Sequence, residues 1–372
     1  MARTVSIFYL GTMPEEKRLP ELALGKRFPL RLLNLLPKAW KRRHLEAESR
    51  PDEGADEPGE FSFTDHFRDA RRLLIAWPER AEDILVAFPA ARALVEALPA
   101  GTECAHLCEA RQSPLLQDLF QGTVLEWKDS EIAWHEPAMH ELVRSLKALA
   151  PDTVLVLGQD PYPLVLQAAL RASRARARIG WEGSVSAPYA NTRLAAEADT
   201  PRAARCFQAL GLWRYAGFAP REDWTRLQPD PVRSLTAADL WARHRAAPEN
   251  TWLYVHDAQD SNRPLDAALY ARLEEALRAR DGSAFTLGAL LWNPWNRAIP
   301  REGPWLDAPV FGESDLGGLL AMLDGARGVA AFHGFGLHFA SLAEVRVLAL
   351  LRRDEAGYDA SGLNPLFEVE WV

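Results

Sequence analysis

From residue 71 onward the chain alternates two kinds of apolar pattern. Short runs with almost no polar interruption, such as RRLLIAW (71–77), TVLVLG (153–158), TWLYVH (251–256) and GVAAF (328–332), have the length and content of strands buried on both faces. Between them lie longer segments whose apolar residues recur at helical spacing. The clearest is ILVAFPAARALVEAL (84–98), a helix carrying Pro89 early. The same reading predicts strands at TECAHLC (102–108), TVLEW (123–127), ARIGW (177–181), FTLGALLW (285–292) and VRVLALL (345–351). It predicts helices at SPLLQDLF (113–120), MHELVRSLKALA (139–150), PLVLQAALRAS (163–173), PRAARCFQALGLW (201–213), PLDAALYARLEEALRAR (264–280), DLGGLLAMLDGA (315–326) and LHFASLAE (337–344). Strand and helix alternate in this way when parallel sheets are joined by crossover helices.

The alternation occurs in two blocks. A Pro- and Ala-rich stretch, 184–250, connects them, so 69–183 is expected to form one Rossmann-like lobe and 251–372 a second, with 1–68 as an N-terminal extension. The expected fold class is α/β, built from two doubly wound lobes, and no internal repeat shows beyond this shared architecture.

Composition narrows the class. The 372 residues suffice for two domains, and 48% hydrophobic with 25% charged residues is a globular balance. No apolar run reaches the roughly 18 to 20 residues of a membrane span, and the N-terminus lacks a signal peptide's apolar core, which places the protein in the cytoplasm. Three cysteines make no disulfide framework, and Cys104 with Cys108 lacks the second pair a zinc site needs, so both read as buried thiols. A net charge of −8 argues against nucleic acid as a partner. That charge is uneven: residues 1–43 hold ten Lys/Arg against three Glu, a local +7 that leaves −15 on the remainder. Within the basic part, residues 26–43 interleave leucines and Trp40 with Lys and Arg, which suits peripheral attachment to an anionic inner-membrane face; the competing reading docks those leucines on the protein's own core. The acidic, Pro- and Gly-bearing stretch 47–60 reads as a linker.

Ligands of parallel sheets collect at the C-terminal ends of strands, where helices begin and backbone N–H groups point outward. Three junctions qualify. In HGFGLH (333–338), Gly334 and Gly336 permit a sharp turn and close approach to a ligand, and the helix start after them favours an anion such as a pyrophosphate. His333 and His338 are then pocket residues around phosphate, or else solvated histidines of a glycine turn; as a metal pair they lack orientation and a third ligand. In WPERAEDILVAFP (77–89), Asp83 suits a helix cap and a general base equally well. In HDAQDSNRPLD (256–266), Arg263 either forks onto phosphate oxygens or is an exposed helix-start arginine. Of thirteen tryptophans, three fall in LLWNPWNRAIPREGPW (290–305), where Trp295 suits either a nucleobase pocket or packing under a long loop.

From about residue 71 to 351 the chain resembles glycosyltransferase family 9, the ADP-heptose:lipopolysaccharide heptosyltransferases. The resemblance rests on RRLLIAWPERAEDILVAFPAARALVEALP, DTVLVLGQDPYPLVLQAALRASRARARIGW, TPRAARCFQALGLW and VFGESDLGGLLAMLDGARGVAAFHGFGLHFASLAEVRVLALL, each similar in register to a segment of that family. It implies a GT-B fold, two Rossmann-like lobes facing a central cleft, with the acceptor in the first and the nucleotide-sugar in the second. It further implies that Asp83 is the general base for the acceptor hydroxyl, that Arg263 and His256 lie in a loop contacting donor phosphate, that His333, Gly334, Phe335, Gly336 and Leu337 form the diphosphate-binding turn, and that His338 is the histidine of the closing motif. The chain departs from the family at Glu82, where a glycine is usual, at Trp77 and Pro78, at His333-Gly334-Phe335, which replace Asp-Ser-Gly, and at 352–355, where Arg-Arg-Asp-Glu replaces Phe-Gly-Pro-Thr.

The implied activity is transfer of a heptose-like sugar from a nucleotide-diphosphate donor to a hydroxyl of a glycan or glycolipid acceptor. No cofactor is implied, and the lack of an Asp-x-Asp motif points to a metal-independent reaction. The departures leave a second reading open, an inactive relative that binds a nucleotide-sugar, a glycan or a partner protein. A nicotinamide-dependent oxidoreductase is disfavoured, because no strand is followed by GxGxxG.

Overall fold

The computed structural model describes residues 69–128, 137–157, 166, 169–170, 173–181, 190, 192–194, 227, 231–258, 264–282, 284–313, 315–343, 345–352 and 367–371. The basic segment 26–43, the linker 47–60, the helix expected at 201–213 and Arg263 lie outside these residues. Two six-stranded sheets, parallel throughout, carry the fold. The first contains β1 (Arg72–Ala76), β2 (Glu103–Glu109), β3 (Thr123–Trp127), β4 (Thr153–Val156), β5 (Ala177–Trp181) and β6 (Thr192–Leu194), in the order β3-β2-β1-β4-β5-β6. The second contains β7 (Thr251–Asp257), β8 (Thr286–Trp292), β9 (Val310–Glu313), β10 (Gly328–Phe332), β11 (Val347–Leu351) and β12 (Phe367–Trp371), in the order β12-β11-β10-β7-β8-β9. Counted within its own block, each sheet has the Rossmann order, so each has one switch point: between β1 and β4 in the first, between β7 and β10 in the second.

Seven α-helices complete the described residues: α1 (Ala81–Ala97), α2 (Ser113–Leu119), α3 (Pro137–Leu149), α4 (Pro231–Arg243), α5 (Ala267–Asp281), α6 (Leu316–Asp324) and α7 (Phe335–Leu342). Alternation along the strands decides which face each side chain joins. In β1, Leu73 and Ile75 face α1, while Leu74 and Ala76 join α3 on the other side. In β7, Leu253 and Val255 face α7, while Trp252 and Tyr254 join α5.

One apolar cluster runs through both lobes, from Ile75 and Phe88 by way of Leu337 and Phe339 to Val329 and Val347. It exists because α1 packs against α7 and α2 against α6. This explains why α1 is buried around most of its circumference, from Ile84, Leu85 and Phe88 to Ala90, Ala91 and Ala93: one side meets its own sheet and the other meets α7. All eight residues of α7 are buried for the same reason.

Local chemistry sets the ends of α1. Trp77 precedes Pro78, which disfavours a helical conformation there, and Leu98 precedes Pro99 and is extended at φ −65°, ψ 153°. Pro89 is the exception to the expectation of an early proline. The helix starts at Ala81, so Pro89 sits mid-helix and deprives the Leu85 carbonyl of its usual donor. Four elements lack a counterpart in the sequence reading: β6, β9, β12 and α4. β6 carries the first sheet beyond residue 183, and α4, from the stretch read as a connection, packs on α6 through a face that buries Ala237 and Trp241.

Candidate functional site

On the first lobe, the chain leaves β1 at its switch point and enters α1 through Trp77–Arg80. Trp77 fixes this loop. It is fully buried, its backbone N–H donates to the Leu107 carbonyl at 2.8 Å, its indole N–H donates to Nδ1 of His106 at 3.0 Å, and its ring lies 5.2 Å from that of Phe120. Gln112 Nε2 adds a bond to the Glu79 carbonyl at 3.1 Å. To accept from Trp77, His106 must be neutral, and burial pushes its pKa down to about 4. The anchored loop delivers Glu82 and Asp83 into the first turn of α1, where carboxylates are favoured by the helix dipole. Asp83 is half-buried there, and Glu82 is ion-paired with Arg80.

On the second lobe, β10 ends at Phe332 and the chain turns through His333 and Gly334 into α7. Gly334 has φ 136° and ψ −160°, a conformation open in practice to glycine alone. Gly336 serves packing rather than approach to a ligand, which corrects the sequence reading: a Cβ there would overlap the Val255 carbonyl oxygen, so the glycine seats α7 directly on β7. Phe335 is stacked between Trp292 at 4.9 Å and Phe339 at 5.8 Å, and Leu337 is wholly buried. The side chains of Phe335 and Leu337 are therefore core. Asp266 caps α5 through the Leu269 N–H at 2.7 Å and Asp315 caps α6 through the Gly318 N–H at 2.8 Å, whereas α7 has no side-chain cap. α1 likewise starts without a side-chain cap.

His338 lies within α7, its ring 5.5 Å from that of His333 and edge-on to it. Burial above all, then the charges of His333 and of Arg80, push its pKa down to about 3. The influence of Arg80 crosses between lobes, in keeping with the packing of α1 on α7. Asp83 and the 333–338 turn thus belong to facing helices, each at the switch point of its own sheet. His256 lies elsewhere: its ring stacks on Tyr254 at 5.8 Å, on the face covered by α5, opposite the face that carries α7. Trp295 is 48% exposed in a turn closed by Asn293 Oδ1, which accepts from the Arg297 N–H at 2.7 Å. The packing role under this loop falls to Trp305 instead, buried edge-on against Tyr270 with its indole N–H on the Asp266 carbonyl at 2.9 Å. Two residues escaped the sequence reading. Trp292 reads as an ordinary strand end, and Arg80 gives no signal beyond its position three residues before Asp83.

No family model matches the sequence, and no curated protein matches it either. Solved structures do match. The chain superposes on the E. coli ADP-heptose lps heptosyltransferase II with a TM-score of 0.57 at 15% identity, over 80% of this chain and 90% of that one. The fold is GT-B. A glycosyl transferase family 9 protein from Veillonella parvula gives a TM-score of 0.56 at 12% identity, covering 81% and 86% of the two chains. The E. coli heptosyltransferase WaaC, solved with ADP, gives 0.51 at 15% identity, covering 81% and 93%. At such identities the GT-B architecture is what this chain shares with them. No helix among the described residues is long and apolar enough to cross a membrane.

Proposed function

We propose that this protein is a metal-independent glycosyltransferase that moves a sugar, heptose-like in size, from a nucleotide-diphosphate donor to a hydroxyl of a glycan or glycolipid acceptor. The reading is carried by one arrangement. A carboxylate in the first turn of α1 and the uncapped, glycine-entered start of α7 sit on packed helices from opposite lobes, each at a sheet's switch point. The solved structures support it by fold, and one of them is the E. coli heptosyltransferase WaaC with ADP.

In this reading the donor's diphosphate lies on the backbone N–H groups of the 333–338 turn, with Arg263 as a further cation, and Trp295 offers an exposed ring face to a base or sugar. Asp83 accepts the proton of the acceptor hydroxyl as its oxygen forms a bond to the anomeric carbon. The bond from that carbon to the diphosphate breaks, its electron pair passing to the phosphate oxygen, and the nucleoside diphosphate leaves. The dipole of α7 stabilises the charge that grows on it.

The test is release of nucleoside diphosphate from a panel of ADP-, UDP- and GDP-sugars, ADP-heptose included, in the presence of glycan and glycolipid acceptors. Asp83→Asn is expected to lower turnover by about 10²- to 10⁴-fold while donor affinity stays close to that of the parent protein. Unchanged turnover in the variant overturns the role of Asp83. Donor binding without turnover on any acceptor reassigns the protein as a binding module.

A further inference from the structure

The first sheet leaves the flank of an edge strand open. β3 ends the strand order, and the next strand in sequence, β4, lies beyond β2 and β1. The helix that joins them, α3, therefore leans inward over the sheet, where its Met139, Leu142 and Leu146 cluster with Leu74, Ala76, Ala105 and Leu107 of β1 and β2. Between β3 and α3 this leaves a cavity of about 360 Å³, within the range of roughly 300 to 1,000 Å³ typical of ligand pockets. It follows the strand from Val124 to Lys128, roughly 13 Å at 3.3 Å per residue.

The lining is mixed. Leu125 and Trp127 from β3 and Met139 and Leu142 from α3 supply apolar surface, while Glu126 and Lys128 from the strand and Glu141 and Ser145 from the helix supply charge and a hydroxyl. Glu126, Lys128 and Glu141 are exposed. Trp127 is only 5% exposed, yet its indole N–H is buried without an acceptor. Trp77 and Trp305 each have one, in His106 Nδ1 and the Asp266 carbonyl. Trp241 and Trp292 also bury an unpaired indole N–H, but neither borders this cavity. An unpaired buried donor costs stability, and one that sits in the wall of a cavity is placed to meet a ligand.

The lining also selects the ligand. The Trp127 N–H calls for an acceptor oxygen, whereas the Glu126 and Glu141 carboxylates call for donors. An anionic ligand would face two carboxylates against one ammonium, and a protonated amine has no lone pair for the indole. A hydroxyl serves both needs, because its oxygen accepts while its proton is donated, and Ser145 can pair with it in either sense. Several hydroxyls on a compact ring leave C–H faces for Leu125, Met139 and Leu142.

We propose that the cavity between β3 and α3 is a saccharide site, with a sugar oxygen accepting from the Trp127 indole N–H and sugar hydroxyls donating to Glu126 and Glu141. It lies on the face of the sheet that carries α3, opposite the face that carries α1 and Asp83, so it is separate from the proposed transfer site. The site stands on the cavity and its lining. Its role rests on the glycan-acceptor reading: the sugar held there is a unit of the acceptor other than the one that reacts.

The experiment is N–H correlation NMR of the full chain, titrated with glucose, galactose, N-acetylglucosamine, lactose and maltose. The indole signal of Trp127 is identified as the one that Trp127→Phe removes. At least one sugar is expected to move that signal saturably as the N–H gains an acceptor. Glu141→Gln keeps the shape of the wall and loses the charged acceptor, so it should weaken binding of that sugar by about tenfold or more. Because Glu141 is exposed, this variant should melt with the parent protein, which separates a ligand contact from a structural one. Should Trp127→Phe not fold, the affinity of Glu141→Gln decides the matter alone. Asp83→Asn should bind the sugar as the parent does. A Trp127 signal that no sugar moves overturns the site and leaves the role of Asp83 standing. Sugar binding that Asp83→Asn abolishes, or that Glu141→Gln leaves at full strength, overturns it as well, since the sugar then lies elsewhere.

Discussion

Two buried histidines give this protein a pH dependence that follows from single residues. His106 is held neutral as the acceptor for Trp77, with its pKa pushed down to about 4, and His338 is pushed down to about 3, both chiefly by burial. In the unfolded chain both return to about 6.5, so below that pH the unfolded state binds protons that the folded state refuses. Stability is therefore fully present above pH 6.5 and is lost as the pH falls toward 4. Each histidine contributes about 1.4 kcal/mol per pH unit within that window, so the pair costs up to ~3 kcal/mol per unit. Urea midpoints at pH 7.5, 6.5 and 5.5 should stay level across the first step and drop across the second. A level midpoint down to pH 5 would show that both imidazoles protonate in the folded protein. Replacing His106 with Asn, which cannot titrate, should roughly halve the fall per pH unit. His338 stands out in the sequence through its glycine-flanked turn, but nothing near His106 in the chain announces that it meets Trp77 across a strand pair.

At the scale of elements, the seat of α7 on β7 is the most exacting contact in the second lobe. Gly336 lies against the Val255 carbonyl, and Phe335 continues a stack from Trp292 to Phe339. Gly336→Ala must push the helix away from the strand and disturb that stack, an overpacking cost of about 2–3 kcal/mol. Chemical denaturation should show the lower stability, and donor affinity should fall with it if the displaced helix carries the proposed diphosphate turn. An alanine tolerated with unchanged stability would mean that α7 is not seated as closely as described. By contrast, Gly282 has a positive φ, 63°, but a Cβ there meets nothing, so Gly282→Ala carries only the backbone cost of about 1 kcal/mol. Periodicity located α7 to within two residues at either end, yet could not distinguish a glycine that approaches a ligand from one that approaches a strand. Both leave the same letter in the sequence.

On the scale of the whole molecule, the two lobes share a core instead of meeting across a solvated cleft along their full depth. α1 packs on α7 and α2 on α6, and the Leu316 N–H at the start of α6 donates to Asp118 Oδ2 of the first lobe at 2.8 Å. Lobes joined by a continuous apolar cluster should unfold together. Scanning calorimetry is expected to show one transition, and Phe88→Ala, which empties part of the shared cluster, should lower it as a single peak by about 3–5 kcal/mol of stability. Two resolved transitions, only one of them shifted by the substitution, would mean that the lobes fold independently. Local pattern alone determined that strands and helices alternate in two blocks, the type and place of most of the described elements, and that glycines and a carboxylate stand at strand-to-helix junctions, because side-chain periodicity and backbone preference act over a few residues. Only the tertiary structure decided that α1 and α7 belong to one layer, that Arg80 reaches the surroundings of His338, that His256 takes the opposite face of its sheet, and that the short strands β6, β9 and β12 complete the sheets. Those outcomes depend on which surfaces remain apolar once each sheet has formed, and on contacts between residues hundreds of positions apart, which no local window of sequence contains.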